Sequence, residues 1–334
     1  MIDLHLHLDG SLSPELVRRL ARLQGIQLPK KWEGLLRAPV PCGSLEQYLQ
    51  RFALPLSLLQ TEESLAASVE DLLARLDRLG LLYAEIRFAP QLHTAQGLSQ
   101  LQVVQAALSG LHNAGWRGPV RPQLILCAMR GDENASQNLE TFEIAAHYLG
   151  RGVAAVDLAG AEAAYPTADF RELFAFARKR KLPFTIHAGE AADADSVAAA
   201  VEFGAARIGH GLRAATRPAL LATLRERGIL LELCPTSNLQ TGAAASAAAY
   251  PLRQFLEAGV RVCLNADNMT VSDTDVWREY GFAHAALGAS CEVCAEFLCN
   301  AAQGAFLPDE ARKRLADAVS RQVQSGALTR YESF

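Results

Sequence analysis

Two histidines lie one residue apart at the start of the chain, in the apolar run MIDLHLHLDG. Side chains at positions i and i+2 of a strand point to the same face, so we expect the rings of His5 and His7 to converge. Convergent imidazoles suit a divalent metal; a hydrogen-bonded polar pair at a strand end is the alternative. His187 and Asp267, at the ends of two later strand-like runs, favour the metal. Three imidazoles and one carboxylate suit one zinc ion (Zn2+) best, and the sequence does not exclude iron, manganese or cobalt.

Two further polar residues indicate hydrolytic chemistry beside these ligands. Glu190 follows His187 after two small residues, which permit a tight turn that brings its carboxylate over the metal-bound water. A catalytic zinc lowers the pKa of its water to about 7, and the reaction then needs a group that moves protons. We therefore interpret Glu190 as the general acid and base. His210 is flanked by glycines, and we interpret it as the stabiliser of the attacking hydroxide, with a role as a further ligand as the alternative.

Short apolar runs that alternate with longer helical patterns must position these residues. Eight runs are predicted to be strands: Ile2–His5, Leu82–Phe88, Gln123–Cys127, Val153–Asp157, Phe184–His187, Arg207–Gly209, Ile229–Leu233 and Val260–Leu264. Apolar spacing of three and four between them predicts helices, as in Leu65–Leu79, Phe170–Arg180 and Pro218–Arg227. The alternation predicts an α/β fold, a single (β/α)8 TIM barrel over residues 1–334. A doubly wound open sheet is the alternative, but no glycine-rich phosphate motif follows the first strand.

In such a barrel the carboxyl ends of the strands form the catalytic face, which is where the predicted ligands and acid–base residues lie. The long stretch from about Leu8 to Gly80 must contain additional helices, which we expect to form a lid or substrate wall. Another helical segment is expected after Phe297, followed by a short C-terminal tail. The low-complexity stretch Gly242–Tyr250 is predicted to be a weak helix or a loop, without assigned chemistry.

Composition and charge narrow the classes of function. The chain has 334 residues, of which 50% are hydrophobic, and a formal net charge of −4, as is typical of globular proteins. No basic stripe indicates nucleic-acid binding, and no apolar stretch is long enough to span a membrane. An odd number of cysteines and the lack of a signal-peptide pattern predict a cytoplasmic protein. The sequence does not give the oligomeric state.

Eight short motifs occur in order along the chain: HLHLDGS (5–11), AEIRFAP (84–90), VDLAGAE (156–162), HAGE (187–190), RIGHG (207–211), ELCPTSNLQTG (232–242), LNADN (264–268) and NAAQGAFLPDEARKRL (300–315). Together they resemble the motifs of the adenosine deaminase family of metal-dependent hydrolases. The resemblance covers nearly the whole chain. The set of motifs in this order is specific to the family, although any one motif alone would be weak evidence.

The resemblance implies a role for each matching position, including zinc binding by the four ligands named above. Glu190 would protonate purine N1, and His210 would steer the hydroxide to C6. Gly160 would contact N3 through its backbone amide. Asp9, which strand alternation places on the same side as the histidines, would bind a ribose hydroxyl. The implied reaction is zinc-dependent hydrolytic deamination of adenosine or 2′-deoxyadenosine to inosine or 2′-deoxyinosine and ammonia.

Three positions depart from the common family pattern. Many members have a second aspartate after the metal-binding one, where this chain has Asn268. Because an amide donates to a neutral purine N7 without first being protonated, we expect Asn268 to bind substrate and activity to survive, with an altered substrate range. Ala161 replaces an acidic residue and Tyr250 a histidine. We expect these two changes to affect specificity or stability more than the chemistry.

Other functions are alternatives to this interpretation. The nearest is the same reaction on adenine or on a modified nucleoside such as aminodeoxyfutalosine. Asp9 favours a purine nucleoside as the small-molecule partner, because a free base leaves the carboxylate without its hydroxyl partner. A two-metal amidohydrolase would need a bridging lysine, and none is near the end of the fourth strand. A catalytically inactive binding protein would be expected to lose metal ligands or the acid, and all of these residues are present.

Overall fold

The computed structural model describes residues 1–39 and 42–326 of the chain. Its strands are β1 Ile2–His7, β2 Tyr83–Phe88, β3 Gln123–Met129, β4 Val153–Ala159, β5 Thr185–Ala188, β6 Arg207–His210, β7 Leu230–Leu233 and β8 Arg261–Leu264. Its helices are α1 Pro14–Leu23, α2 Leu45–Leu49, α3 Ala53–Leu58, α4 Glu62–Arg78, α5 Gln100–Asn113, α6 Ala135–Tyr148, α7 Arg171–Lys179, α8 Ala194–Phe203, α9 Pro218–Glu226, α10 Pro235–Gln240, α11 Leu252–Glu257, α12 Val276–Leu287, α13 Cys291–Gly304 and α14 Asp309–Gln324. All eight predicted strands are present, and the predicted C-terminal tail lies outside the described residues.

The strands form two four-stranded parallel sheets that close into one barrel. Neighbouring strands pair in chain order from β1 to β4 in one sheet and from β5 to β8 in the other. Single bridges join the sheets at both seams, between Leu6 and Asp267 and between Val156 and Phe184. The closed ring confirms the predicted (β/α)8 barrel and rules out the open sheet, whose outer edges would stay unpaired.

Helices cover the outside of the barrel with apolar stripes. In α4, Leu65, Val69, Leu72 and Leu76 recur at helical spacing and are buried. Thr61 caps the start of the helix: its hydroxyl accepts a hydrogen bond from the backbone of Ser64, and the Ser64 side chain accepts one from the backbone of Thr61. Strands such as β2 and β4 are buried along their whole length, as expected for parallel strands covered on both faces. Within the described ranges, no helix has the length and hydropathy that crossing a membrane requires.

The stretch between β1 and β2 forms α1 to α4, as predicted, and part of it covers the mouth of the barrel. Tyr48 of α2 and Phe52 belong to a small apolar cluster that is separate from the main core and includes Val271. The hydroxyl groups of Tyr48 and Ser272 lie 2.6 Å apart, which connects α2 to the loop after β8. The insertion is therefore attached to the loop that carries the predicted ligand Asp267.

The path of Asp9 differs from the strand alternation that was expected for it. Strand β1 ends at His7, and Leu8 has helical backbone angles (φ −62°, ψ −52°). Asp9 therefore begins a 3-10 turn, Asp9–Ser11, and does not continue the alternation of the strand. In the low-complexity stretch Gly242–Tyr250, a 3-10 turn spans Ala247–Ala249.

Candidate active site

The carboxyl ends of three strands bring the four predicted metal ligands together. His5 and His7 belong to β1, His187 belongs to β5, and Asp267 lies in the loop after β8. Nε2 of His7 lies 3.2 Å from Nε2 of His187 and 3.5 Å from Oδ1 of Asp267. Nε2 of His5 lies 3.6 Å from the same oxygen. Asp267 has a φ of 59°, a left-handed backbone angle that is uncommon for residues other than glycine and that recurs at functional sites.

The buried Nε2 atom of His5 has no hydrogen-bond partner in the described ranges. Nδ1 of the same ring donates to Oε2 of Glu232 at 2.8 Å, so the proton of the neutral ring lies on Nδ1 and Nε2 carries a free lone pair. Nδ1 of His187 also faces a carboxylate, at 2.9 Å from Oδ2 of Asp157, although the contact does not have hydrogen-bond geometry. In a metal-binding histidine, the ring nitrogen that does not bind the metal usually faces a carboxylate, as Nδ1 does here. Three imidazoles and one carboxylate therefore fit a divalent metal ion.

Glu190 and His210 face each other beside this cluster. Oε2 of Glu190 lies 3.5 Å from Nε2 of His210. Burial raises the pKa of Glu190 well above its ordinary value, and the charges of Asp267 and Glu162 raise it further. The raised pKa favours the protonated form of the carboxyl group, which is able to donate a proton. Burial and the neighbouring His187 lower the pKa of His210, which favours the neutral form of its ring.

Two residues that the sequence analysis did not assign to the site orient His210. The side-chain amide of Asn238 donates to Nδ1 of His210 at 2.9 Å, and the hydroxyl of Tyr250 donates to Oδ1 of Asn238 at 3.0 Å. The neutral imidazole then carries its proton on Nε2, the atom that faces Glu190. A donor at this position favours hydrogen bonding to the attacking oxygen over metal ligation. Tyr250 thus links the low-complexity stretch to the site.

A buried carboxylate, also missed from the sequence, holds the loop that carries Glu190. Oε1 of Glu162 accepts hydrogen bonds from the backbone of Gly189 at 2.6 Å and from the hydroxyl of Ser196 at 2.5 Å. Oε2 accepts from the backbone of residues 190–192 at 3.0, 2.7 and 3.1 Å. Four consecutive backbone N–H groups therefore donate to one carboxylate. The only sign of this role in the sequence is that Glu162 ends the motif VDLAGAE.

A buried charge network adjoins the metal cluster. Nη1 of Arg87 lies 3.0 Å from Oδ2 of Asp157, and its Nη2 lies 2.9 Å from Oε2 of Glu232. Arg207 contacts Oε1 of Glu232 at 2.6 Å and Oε2 of Glu85 at 2.5 Å. Each of these five residues is at most 1% exposed, so each charge depends on its neighbours for compensation.

A cavity of about 210 Å³ opens beside these groups. Its polar and glycine lining includes His7, Asp9, Gly160, His187, Glu190, His210, Asp267 and Asn268. Its apolar lining includes Leu45, Tyr48, Phe52, Leu92, Cys127 and Met129. Burial raises the pKa of Asp9 to about 6. Its Oδ1 atom is buried and has no hydrogen-bond partner within residues 1–39 and 42–326. The structure thus brings all nine predicted site residues, including the buried His5, to one region, and Asp9 reaches the cavity through its turn.

Comparison with known proteins agrees with the motifs. The family model described as adenosine deaminase matches residues 1–322. The chain belongs to the adenosine deaminase family. An adenosine deaminase of Haemophilus ducreyi is 49% identical over 324 residues, which are 94% of this chain and 94% of that protein. Membership of the adenosine deaminase family makes the chain an enzyme, a hydrolytic deaminase, and confirms the resemblance inferred from the motifs.

Two solved structures show the same fold. An adenine deaminase from Arthrobacter aurescens has a TM-score of 0.85 and 27% sequence identity, with 97% of this chain and 98% of that chain covered. An amidohydrolase from Burkholderia ambifaria with bound zinc has a TM-score of 0.87 and 19% identity, with 98% and 92% covered. At that identity the second likeness concerns the fold alone. The barrel is therefore shared across deaminases and amidohydrolases of different names.

Proposed function

We propose that this enzyme deaminates adenosine and 2′-deoxyadenosine to inosine and 2′-deoxyinosine, with one zinc ion per chain, in a single catalytic domain in the cytoplasm. The observation that carries the proposal is that Glu190 and His210 face each other in one cavity, beside a cluster of three imidazoles and one carboxylate, of which the buried His5 lies behind the cavity lining. The relative from Haemophilus ducreyi, which is named adenosine deaminase, supports the choice of substrate.

Each polar group has a defined task in the proposed reaction. The ligand set named above would hold the ion, which supplies an activated water for attack at neutral pH when it is bound. Glu190 donates a proton to purine N1, which makes C6 more electrophilic. His210 donates through Nε2 to the oxygen that attacks C6 and stabilises the charge that develops there. One proton of the attacking water restores the proton of Glu190 and the other passes to the amino group, after which the C6–N bond breaks and ammonia leaves.

The remaining cavity residues orient the nucleoside. Asp9 accepts a hydrogen bond from a ribose hydroxyl, which gives its buried Oδ1 atom the partner it otherwise lacks. The backbone N–H of Gly160 donates to N3, and the amide of Asn268 donates to N7. Gly10 lets Asn268 lie close to the chain, because a Cβ atom at position 10 would be 1.7 Å from Oδ1 of Asn268.

Adenine is the second candidate substrate, because one similar structure is an adenine deaminase. Two features favour the nucleoside over adenine and over a nucleotide. A free base would leave the Asp9 carboxylate unpaired. Among the described residues, the cavity lining contains the carboxylates of Asp9, Glu190 and Asp267 but no lysine or arginine to receive a phosphate.

A substrate panel tests the proposal. The zinc-loaded protein is assayed with adenosine, 2′-deoxyadenosine, adenine, aminodeoxyfutalosine and AMP, by absorbance change and by ammonia release. We expect kcat/KM to be highest for the two unmodified nucleosides. Faster turnover of adenine or aminodeoxyfutalosine would overturn the substrate assignment. If the zinc-loaded protein turned over none of these 6-aminopurines, the catalytic proposal would fail as a whole.

A further inference from the structure

We infer that Arg87 is a positioning residue that couples two of the proposed metal ligands, His5 and His187, through one guanidinium group. The inference rests on the proposed metal site and goes beyond it. Arg87 has no hydrogen bond to either imidazole and does not line the substrate cavity. It acts through two carboxylates.

A continuous series of contacts joins the two histidines through Arg87. Oδ2 of Asp157 lies 2.9 Å from Nδ1 of His187 and 3.0 Å from Nη1 of Arg87. Oε2 of Glu232 lies 2.8 Å from Nδ1 of His5 and 2.9 Å from Nη2 of Arg87. In each carboxylate, the oxygen that faces the imidazole is therefore the oxygen that the guanidinium holds.

The guanidinium group is itself fixed next to one ligand. Nη2 of Arg87 also donates to the carbonyl oxygen of Leu4 at 2.6 Å, and Leu4 directly precedes His5 in β1. The plane of the guanidinium sets the separation of its two nitrogens, so the positions of both carboxylates depend on one rigid group. A carboxylate that faces Nδ1 favours a proton on that atom and leaves the lone pair of Nε2 free, as metal binding requires.

The coupling crosses the barrel. His5 and Arg87 lie in the first four-stranded sheet, and His187 and Glu232 lie in the second. Arg207 is a useful contrast, because it contacts the other oxygen of Glu232 and, among the described residues, forms no hydrogen bond or ion pair with Asp157. Weakening the contacts of Arg87 should therefore affect the positions of both histidines, whereas weakening those of Arg207 should affect His5 alone, through Glu232.

Zinc affinity tests the inference without relying on activity. The Zn2+ dissociation constant is measured by chelator competition in the wild type and in Arg87→Lys. Lysine keeps the charge but has one nitrogen in place of the two, Nη1 and Nη2, that contact the carboxylates. We expect binding to weaken by about 10- to 100-fold in Arg87→Lys and by less in Arg207→Lys. Arg261→Lys is the matched control, since Arg261 begins β8 and its hydrogen bonds within the described residues go to Asn300, Gln303 and a backbone carbonyl.

Two readouts separate positioning from a general loss of stability. The visible spectrum of the Co2+-loaded protein reports ligand geometry, and we expect it to change in Arg87→Lys but not in Arg261→Lys. Wild-type affinity and spectrum in a folded Arg87→Lys protein would overturn the inference, as would an equal loss of affinity in Arg261→Lys. If the wild type itself bound no zinc, the proposed metal site would fail, which is a distinguishable result.

A double-mutant cycle decides the matter if Arg87→Lys does not fold. Asp157→Asn and Glu232→Gln are measured alone and together. Because either change already releases one side of the shared guanidinium, we expect the double variant to lose less affinity than the product of the two single losses. Losses that multiply would mean that the two histidines are held independently, and the coupling through Arg87 would be refuted.

Discussion

Replacing Glu162 by glutamine probes how the loop that carries Glu190 is held. The carboxylate accepts hydrogen bonds from four backbone N–H groups and from the hydroxyl of Ser196. Glutamine has nearly the same shape, but one of its two terminal groups is a donor. Whichever way the amide turns, its NH2 group faces donors that the carboxylate had satisfied.

The structure sets the size of the expected effect. The better orientation keeps the amide oxygen on the N–H groups of residues 190–192 and turns NH2 toward Gly189 and Ser196. The serine hydroxyl is able to rotate and accept, so one buried N–H group, that of Gly189, loses its partner. An unsatisfied buried donor costs about 1–3 kcal/mol, and the bonds that remain lose the assistance of the charge. We expect Glu162→Gln to lower the free energy of unfolding by about 2–4 kcal/mol.

Urea unfolding and steady-state kinetics measure the two consequences. We expect kcat for adenosine to fall as well, because the misplaced loop carries Glu190. Glu172→Gln, at an exposed position of α7, is the control and should change the free energy of unfolding by no more than about 0.5 kcal/mol. A Glu162→Gln protein with the stability and kcat of the wild type would refute the view that this carboxylate organises the loop.

Three further substitutions test other parts of the site. Glu190→Gln cannot deliver a proton, so we expect kcat to fall by about 10²- to 10⁴-fold with unchanged zinc content, and a kcat within a few-fold of wild type would contradict its role. Asp267→Ala should lower the zinc content found by metal analysis, and full stoichiometry would remove Asp267 from the ligand set. Gly10→Ala must displace Asn268, so we expect a lower kcat/KM for adenosine. Gly34→Ala, whose Cβ would meet nothing within 4 Å, should behave like the wild type; equal effects at both glycines would refute the argument from close packing.

The elements of the barrel were predictable because their signals are local. Apolar runs of strand length and helical spacing between them depend on neighbouring residues, and the rule for the catalytic face then groups residues that are far apart in the chain. His5 and Asp267, more than 250 residues apart, were placed together on that basis. The path of Asp9 was harder to predict, because β1 ends two residues earlier and the chain enters a turn.

The charge network was not predictable in the same way. Arg87 shares the strand YAEIRF with Glu85, and Glu232 is the single charged residue of the strand LLEL, so the sequence shows the charges without their partners. Their pairing depends on which strands face each other across the barrel and on the position of each residue along the barrel axis. Local sequence patterns do not contain this information. Tyr250 was assigned to specificity or stability for a similar reason, since its contact with Asn238 joins a loop to the short helix α10.

The arrangement of the barrel seams has a consequence for folding. Each seam between the two four-stranded sheets is joined by a single bridge in the described structure, and the bridge from Leu6 reaches Asp267. The proposed ligands lie on both sides of the boundary between β1 and β8, so an ion held by them would cross-link the two sheets there.

Such an ion binds only when the two halves are assembled, and its binding energy therefore adds to the stability of the closed barrel. Above the dissociation constant, each tenfold increase in free zinc should stabilise the fold by about 1.4 kcal/mol. Metal supply would then govern how much of the protein is folded as well as how much is active.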